Sequence, residues 1–247
     1  MTRRRWIADE TTGNTAALTG DHASHLARVL RAEIGQQFDI ATGISVRRGT
    51  ITSISDQRVE FALGEEETTA PAPHLSLALA IFKFDRMEWA IEKCTELGVT
   101  RIIPIVARRT DSHLATVAAK RRERWQRIAR QASEQSRRAA PPEIAVPIKL
   151  IDLSSAGASP AVGRAPSPAP ACKIVLAESE NDTRLRDALN SRPSDVTLAI
   201  GPEGGWTTDE LQWFRDSGWI AASLGDTILR AETAAIVATT LALDALQ

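Results

Sequence analysis

Two strand-to-glycine-loop-to-helix units in succession constrain this chain more than any other feature. An apolar strand at Leu198 to Ile200 runs straight into Gly201-Pro202-Glu203-Gly204-Gly205. A helix opens at Thr207, where Glu210 stands three residues on to complete a capping box. A second apolar strand, Trp219 to Leu224, runs into Gly225-Asp226 and Ile228-Leu229-Arg230, and a long helix follows from about Glu232. Paired units of this kind build a ligand crevice at the carboxyl ends of strands. Glycines let backbone amides come close to a polar ligand. The loops hold no Gly-Lys-Ser/Thr and no GxGxxG spacing, so ATP and NAD lose ground as occupants.

The pattern from His74 onward extends this architecture. Strands are expected at Leu75 to Phe82, Arg101 to Val106, Lys173 to Ala177, Val196 to Ile200 and Trp219 to Leu224. Between them, Asp85 is expected to cap a helix ending at Gly98. A basic helix is expected from about Thr116 to Arg138, stopping before Pro141-Pro142. Strands alternating with helices imply a mostly parallel α/β sheet. Residues 1–67 differ. Short alternating segments at Phe38 to Ala41, Gly49 to Ile54 and Val59 to Leu63 suit a small β domain. Glu65 to Pro73 reads as an acidic, proline-containing linker, which gives domains at 1–70 and 74–247. Ser154 to Ala171, rich in Ser, Ala, Pro and Gly, reads as a flexible surface loop.

Charge is segregated. The chain's net charge is −1, yet Arg101 to Arg138 holds 11 Lys and Arg against 3 Asp and Glu, a local net of +8 that leaves −9 elsewhere. Gathered positive charge is what phosphate binding needs, although a solvated helix face looks the same in sequence. No apolar run approaches the roughly 20 residues that span a bilayer. MTRRRW lacks the apolar stretch of a signal peptide. Two cysteines, Cys94 and Cys172, make neither a disulfide framework nor a zinc site, and Cys94 has core spacing with Met87, Ala90, Ile91 and Leu97. The expectation is a cytoplasmic, reduced protein without a structural metal.

GPEGG followed by LGxxILRxETA resembles the C-terminal part of the SPOUT methyltransferases. More narrowly, the chain is similar to the ribosomal RNA small-subunit methyltransferase E family. The likeness continues in His25-x-x-x-Val29-Leu30-Arg31, in Arg86-Met87-Glu88 with Lys93-x-x-Glu96-Leu97-Gly98-Val99, and in Glu134-Gln135 with Arg137 and Arg138. It therefore covers nearly the whole chain, in the family's order. The chain departs from the pattern at Asp226-Thr227, where the family usually has a basic or Pro-Arg pair.

The resemblance implies a PUA-like RNA-binding β barrel followed by a SPOUT α/β domain with a C-terminal trefoil knot. The implied activity is S-adenosylmethionine-dependent methylation of N3 of a uridine in 16S rRNA. The alternatives are 2'-O-ribose methylation by another SPOUT enzyme and a non-catalytic ribosome-assembly protein. Implied cofactor contacts are Leu176, Ala177, Ile200, Gly201, Pro202, Glu203, Gly204, Gly205, Leu224, Gly225, Ile228, Leu229, Arg230, Thr233 and Ala234. Implied RNA contacts are Arg3, Arg5, His25, Arg28, Arg31, Arg86, Lys120, Arg121, Arg124 and Arg138. The partners expected are 16S rRNA in the small subunit and a second copy of the chain, joined through the apolar helix Thr233 to Leu246. Methylating N3 requires that nitrogen to lose its proton. Arg230 cannot lose its own charge, so it suits stabilising the anion. Glu203 suits orienting cofactor or substrate, and Glu232 reads as an acid at a helix N-terminus.

Overall fold

The computed structural model describes residues 5–43, 45–67, 73–154, 172–191 and 193–246. The chain forms two compact units. The first is residues 1–71 with 133–141, and the second is residues 72–132 with 142–247.

The first unit holds β1 (Arg5–Ile7), β2 (Glu10–Thr12), β3 (Thr15–Thr19), β4 (Gln37–Ala41), β5 (Val46–Ile54) and β6 (Arg58–Glu67), with a short helix α1 (Gly20–Ser24). They form one sheet in the order β1-β4-β5-β6-β3-β2. The pairs are antiparallel except β1 with β4. Alternation explains β6: Val59, Phe61 and Leu63 are buried, while Ala62, Gly64 and Glu66 face solvent. Gly49 is required, because a Cβ there would collide with the Ile40 side chain. The strand β6 runs on through Glu67, paired to Val46, so Glu65 to Glu67 is sheet rather than linker. Pairing with β5, which resumes beyond a register shift between Arg47 and Gly49, overrides the acidic composition there.

The second unit holds β7 (His74–Ala80), α2 (Phe84–Leu97), β8 (Arg101–Val106), most of α3 (Ser112–Gln135), β9 (Glu143–Ile144) and β10 (Ile148–Lys149). It continues with β11 (Cys172–Leu176), α4 (Leu185–Ala188), β12 (Asp195–Ile200), α5 (Thr208–Asp216), β13 (Ile220–Ala222) and α6 (Ala231–Ala245). The sheet order is β10-β8-β7-β12-β11-β13, with β9 also on β8, and every pair is parallel. Both faces are covered, as a parallel sheet demands. Leu75, Leu77, Leu79, Leu198 and Ile174 meet α2, α3, α4 and α6 on one face. Ala78, Ala80, Ile103, Ala199 and Val175 meet Trp206, Phe214 and Trp219 on the other.

Helix ends show what the sequence left ambiguous. Lys83, not Asp85, is the N-cap of α2, and Asp85 lies in the first turn. The α3 helix starts earlier than Thr116 because the Asp111 carboxylate accepts the amides of His113 and Leu114, at 2.8 and 3.3 Å. It ends at Gln135, and Arg137 just beyond has φ 60, a left-handed conformation that ends a helix. The Thr207–Glu210 capping box of α5 is present as expected. The 154–171 loop lies outside the described residues apart from Ser154. Among the described residues no helix is long and apolar enough to cross a membrane. Nor, among them, do three or more His, Cys, Asp or Glu gather as a metal site.

The α6 helix packs on α2 through small residues. Ala235, Ala238 and Ala242 are fully buried, and Thr239 donates to the Cys94 sulfur at 3.4 Å. Burial pushes the Cys94 thiol up to about 12, against a smaller lowering by the Thr239 hydrogen bond. At pH 8 only ~10⁻⁴ of it is thiolate, the reactive form. Iodoacetamide should therefore leave Cys94 unmodified in the native protein and label it only after unfolding, as peptide mass mapping would show. Labelling of native Cys94 as fast as the half-buried Cys172 would mean that the α2–α6 seam opens.

Candidate active site

Strand β11 lies between β12 and β13, with Ile174 opposite both Leu198 and Ile220. The loops after these three strands therefore emerge side by side at the carboxyl edge. They enclose a cavity of about 370 Å³, within the range of small-molecule sites. Its wall consists of residues 176–178 with Asn181, residues 200–203, residues 222–231 with Ala234, and Arg86 from α2. Leu176, Ile200, Leu224 and Leu229 make part of the wall apolar, while Glu178, Glu203 and Asp226 bring carboxylates to it.

Side chains behind the wall hold the loops. The Trp206 indole donates to the Leu176 carbonyl at 3.0 Å, tying the end of β11 to the loop after β12. Its ring packs edge-on to Phe214 at 4.9 Å, and Phe214 to Trp219 at 5.0 Å. Arg109 donates to the Gly204 carbonyl at 2.5 Å and to the Trp206 carbonyl at 3.4 Å. A Cβ at Gly201 would sit 3.2 Å from the Trp206 ring nitrogen. Gly201, which also lines the cavity, thus leaves room for Trp206. Gly225 differs: its φ of +145 is open only to glycine without strain. Next to it, Asp226 pairs with Arg184 at 2.6 Å, although Asp226 is 91% exposed, where such pairs contribute little.

Arg86 bridges the two glycine loops. It binds Glu203 at 2.7 Å and approaches Glu232 at 3.8 Å. Glu232 is only 6% exposed and stands in the first turn of α6, where the helix dipole favours a carboxylate. Arg230 is exposed on the cavity wall as the N-cap of α6. Its carbonyl accepts the Ala234 amide at 2.8 Å, and its side chain makes no capping bond.

Of the expected cofactor contacts, Leu176, Ala177, Ile200, Gly201, Pro202, Glu203, Leu224, Gly225, Ile228, Leu229, Arg230 and Ala234 come together on this wall. Gly204, Gly205 and Thr233 do not line it. Gly204 instead packs beneath Arg109, and Gly205 closes a turn onto the Pro202 carbonyl at 2.8 Å. Arg86, expected with the RNA, lies in the cavity wall. Trp206 and Arg109 escaped the sequence reading. The Trp directly after GPEGG was the available signal for the first, and nothing local marks the second.

The expected RNA contacts are dispersed. Arg3 lies outside the described residues. In the first unit Arg5 donates to the Arg137 carbonyl and Arg28 pairs with Asp56. Arg31, at φ 49, follows a single π-helical turn, His25 to Val29. The His25 ring lies 5.9 Å from Trp6. Half-buried Arg138 is lowered to about 10 by lost solvation, still charged at neutral pH. In the second unit Arg124 and Arg121 both reach Glu88, at 2.7 and 3.6 Å, and Lys120 is exposed.

The signature of the RNA methyltransferase domain matches residues 69–243. The ribosomal RNA small subunit methyltransferase E of Synechocystis is 33% identical over 91% of this chain and 71% of its own length. The chain belongs to the ribosomal RNA small subunit methyltransferase E family. The Aquifex aeolicus member is 29% identical over 94% of this chain and 95% of its own. Among solved structures, the family's Neisseria gonorrhoeae enzyme bound to S-adenosyl methionine matches with a TM-score of 0.80 and 30% identity. That match covers 96% of this chain and 95% of the other. A Legionella pneumophila methyltransferase in complex with the bound cofactor SAM matches with a TM-score of 0.80 and 27% identity, over 99% and 98%.

Proposed function

We propose that this protein transfers a methyl group from S-adenosylmethionine to N3 of a uridine in 16S rRNA of the small ribosomal subunit, in the cytoplasm. The observation that carries this reading is the cavity at the carboxyl ends of β11, β12 and β13, in a member of this family. The two glycine loops fit the wrapping loops of a SPOUT trefoil knot, and the first unit fits a PUA-like domain. The donor set suits the cofactor. Apolar Leu176, Ile200, Leu224 and Leu229 offer a surface for a purine, and backbone polar groups of 200–203 and 222–231 offer it hydrogen bonds. Carboxylates at Glu178, Glu203 and Asp226 complement positive charge. When bound, the cofactor supplies an electrophilic methyl group on a sulfonium.

The chain's own residues would do the rest. Loss of the N3 proton leaves negative charge on the uracil, and Arg230, permanently cationic on the wall, stabilises it. Glu203, fixed by Arg86, orients the ring or the cofactor. The first unit, with Arg5, His25, Arg28, Arg31 and Arg138, and the basic surface of α3 at Lys120, Arg121 and Arg124 hold the RNA. The outer face of α6, with Thr233 and Val237, and the exposed Trp89 and Leu97 of α2 serve a homodimer contact.

The test is methyl transfer from labelled S-adenosylmethionine to small subunits lacking the modification, followed by nucleoside mass spectrometry. N3-methyluridine is the expected product, from a protein whose mass by light scattering is that of two chains. A 2'-O-methyl product, or none, would overturn the assignment.

A further inference from the structure

The cations that carry no partner in the second unit are not confined to the basic helix. Lys83 follows the end of β7 and Arg108 follows the end of β8, and both are exposed. Among the described residues neither side chain has a hydrogen bond or ion pair, whereas Arg121 and Arg124 of α3 share Glu88 and Arg122 is spent on the Ile144 carbonyl at 2.9 Å. The sheet holds the two segments together. Beyond the strand pairing, Ile81 donates to the Ile105 carbonyl at 2.8 Å. The Thr110 hydroxyl donates to the Ile81 carbonyl at 3.3 Å and accepts the Ala107 amide at 3.1 Å. The adjacent Arg109 then reaches the Gly204 carbonyl. Lys83 and Arg108 therefore stand on a rigid edge that continues directly into the loop lining the cavity. Two nearby carboxylates are already engaged, and the exposed Asp85 makes no ion pair with either cation among the described residues. Glu210 is buried and accepts the amides of Arg108 and Thr207, at 2.7 and 2.8 Å, and Asp111 caps α3.

We infer that Lys83 and Arg108 form a phosphate-binding edge along which the RNA backbone runs into the cavity from the β8 side. This rests on the RNA methyl-transfer reading above and adds a contact surface to it. The ligand is a polyanionic strand, because two unpaired cations on adjacent strand ends present charge without a shaped pocket. Each neutralised phosphate releases counterions, so such an edge has a signature in salt.

The experiment compares Lys83→Ala/Arg108→Ala with Lys93→Ala/Lys149→Ala, which removes the same charge from elsewhere on the unit. The probe is small ribosomal subunits lacking the modification, with binding followed from 50 to 200 mM salt. The Lys83/Arg108 variant should bind about ten- to a hundred-fold more weakly at the low-salt end. Its log–log salt slope should be shallower by roughly 1.4 to 1.8, two phosphates' worth. Its S-adenosylmethionine affinity, by calorimetry, should be unchanged, which also shows that the unit is folded. An unchanged slope, or an equal loss in the Lys93/Lys149 control, overturns the edge while leaving the activity standing. Wild-type protein that neither binds nor methylates the subunits overturns the activity and the edge with it.

Discussion

Arg230→Ala should lower the single-turnover rate of methyl transfer by about 100-fold or more, with cofactor and RNA still bound. That is the usual size of losing one electrostatic stabiliser, roughly 2.7 kcal/mol or more of barrier. The structure makes this a clean substitution. Arg230 serves α6 only through its backbone carbonyl, which Ala retains, and its guanidinium is exposed on the cavity wall without a capping bond. Folding should be indistinguishable from wild type. Lys at the same position keeps the charge and loses the planar fork, so partial recovery would separate charge from geometry. Turnover of the Ala variant at the wild-type rate would remove Arg230 from the mechanism and leave deprotonation of uracil without an assigned stabiliser.

The second unit was legible in sequence because its signals are local and agree with one another. Buried parallel strands read as apolar runs, and Arg101–Val106 and Asp195–Ile200 fall where Ile, Val and Leu cluster. The α5 capping box is written in four residues. The first unit was harder. Its strands β1, β2 and β3 are three to five residues long and half polar, as in Glu10–Thr12, so they carry little periodicity of their own. They exist because neighbours pair with them. The return of 133–141 to the first unit is a tertiary fact with no local signature.

The cavity was legible for a different reason. Each loop follows an apolar strand directly, so the glycines mark the carboxyl edge. What the sequence could not give was direction. Gly201 and Gly225 look alike on the page, but Gly201 makes room for Trp206 and Gly225 supplies a backbone angle. Arg86 was grouped with RNA contacts through the family resemblance, and only the fold shows it spanning Glu203 and Glu232, 117 and 146 positions away in the chain.

That difference in direction separates two substitutions. Gly225→Val should abolish S-adenosylmethionine binding while leaving the unit folded. A β-branched residue at φ +145 is strained, which costs on the order of 1–3 kcal/mol. The loop would relieve that strain by turning its peptide groups away from the geometry that the wall requires. Residues 222–231 make one continuous side of the cavity, so a shift at 225 displaces the neighbours that complete it. Nothing in the buried core depends on Gly225. A Cβ there meets only the Arg184 guanidinium at 3.5 Å, the end of a flexible side chain. Gly201→Val should behave differently. It presses on the indole that closes the far face of the sheet, so stability falls along with binding. Thermal unfolding and calorimetry on the two variants decide the matter. Gly225→Val should keep a melting temperature near wild type with no measurable cofactor heat, and Gly201→Val should lose both. Wild-type affinity in folded Gly225→Val would place the cofactor away from the loop after β13.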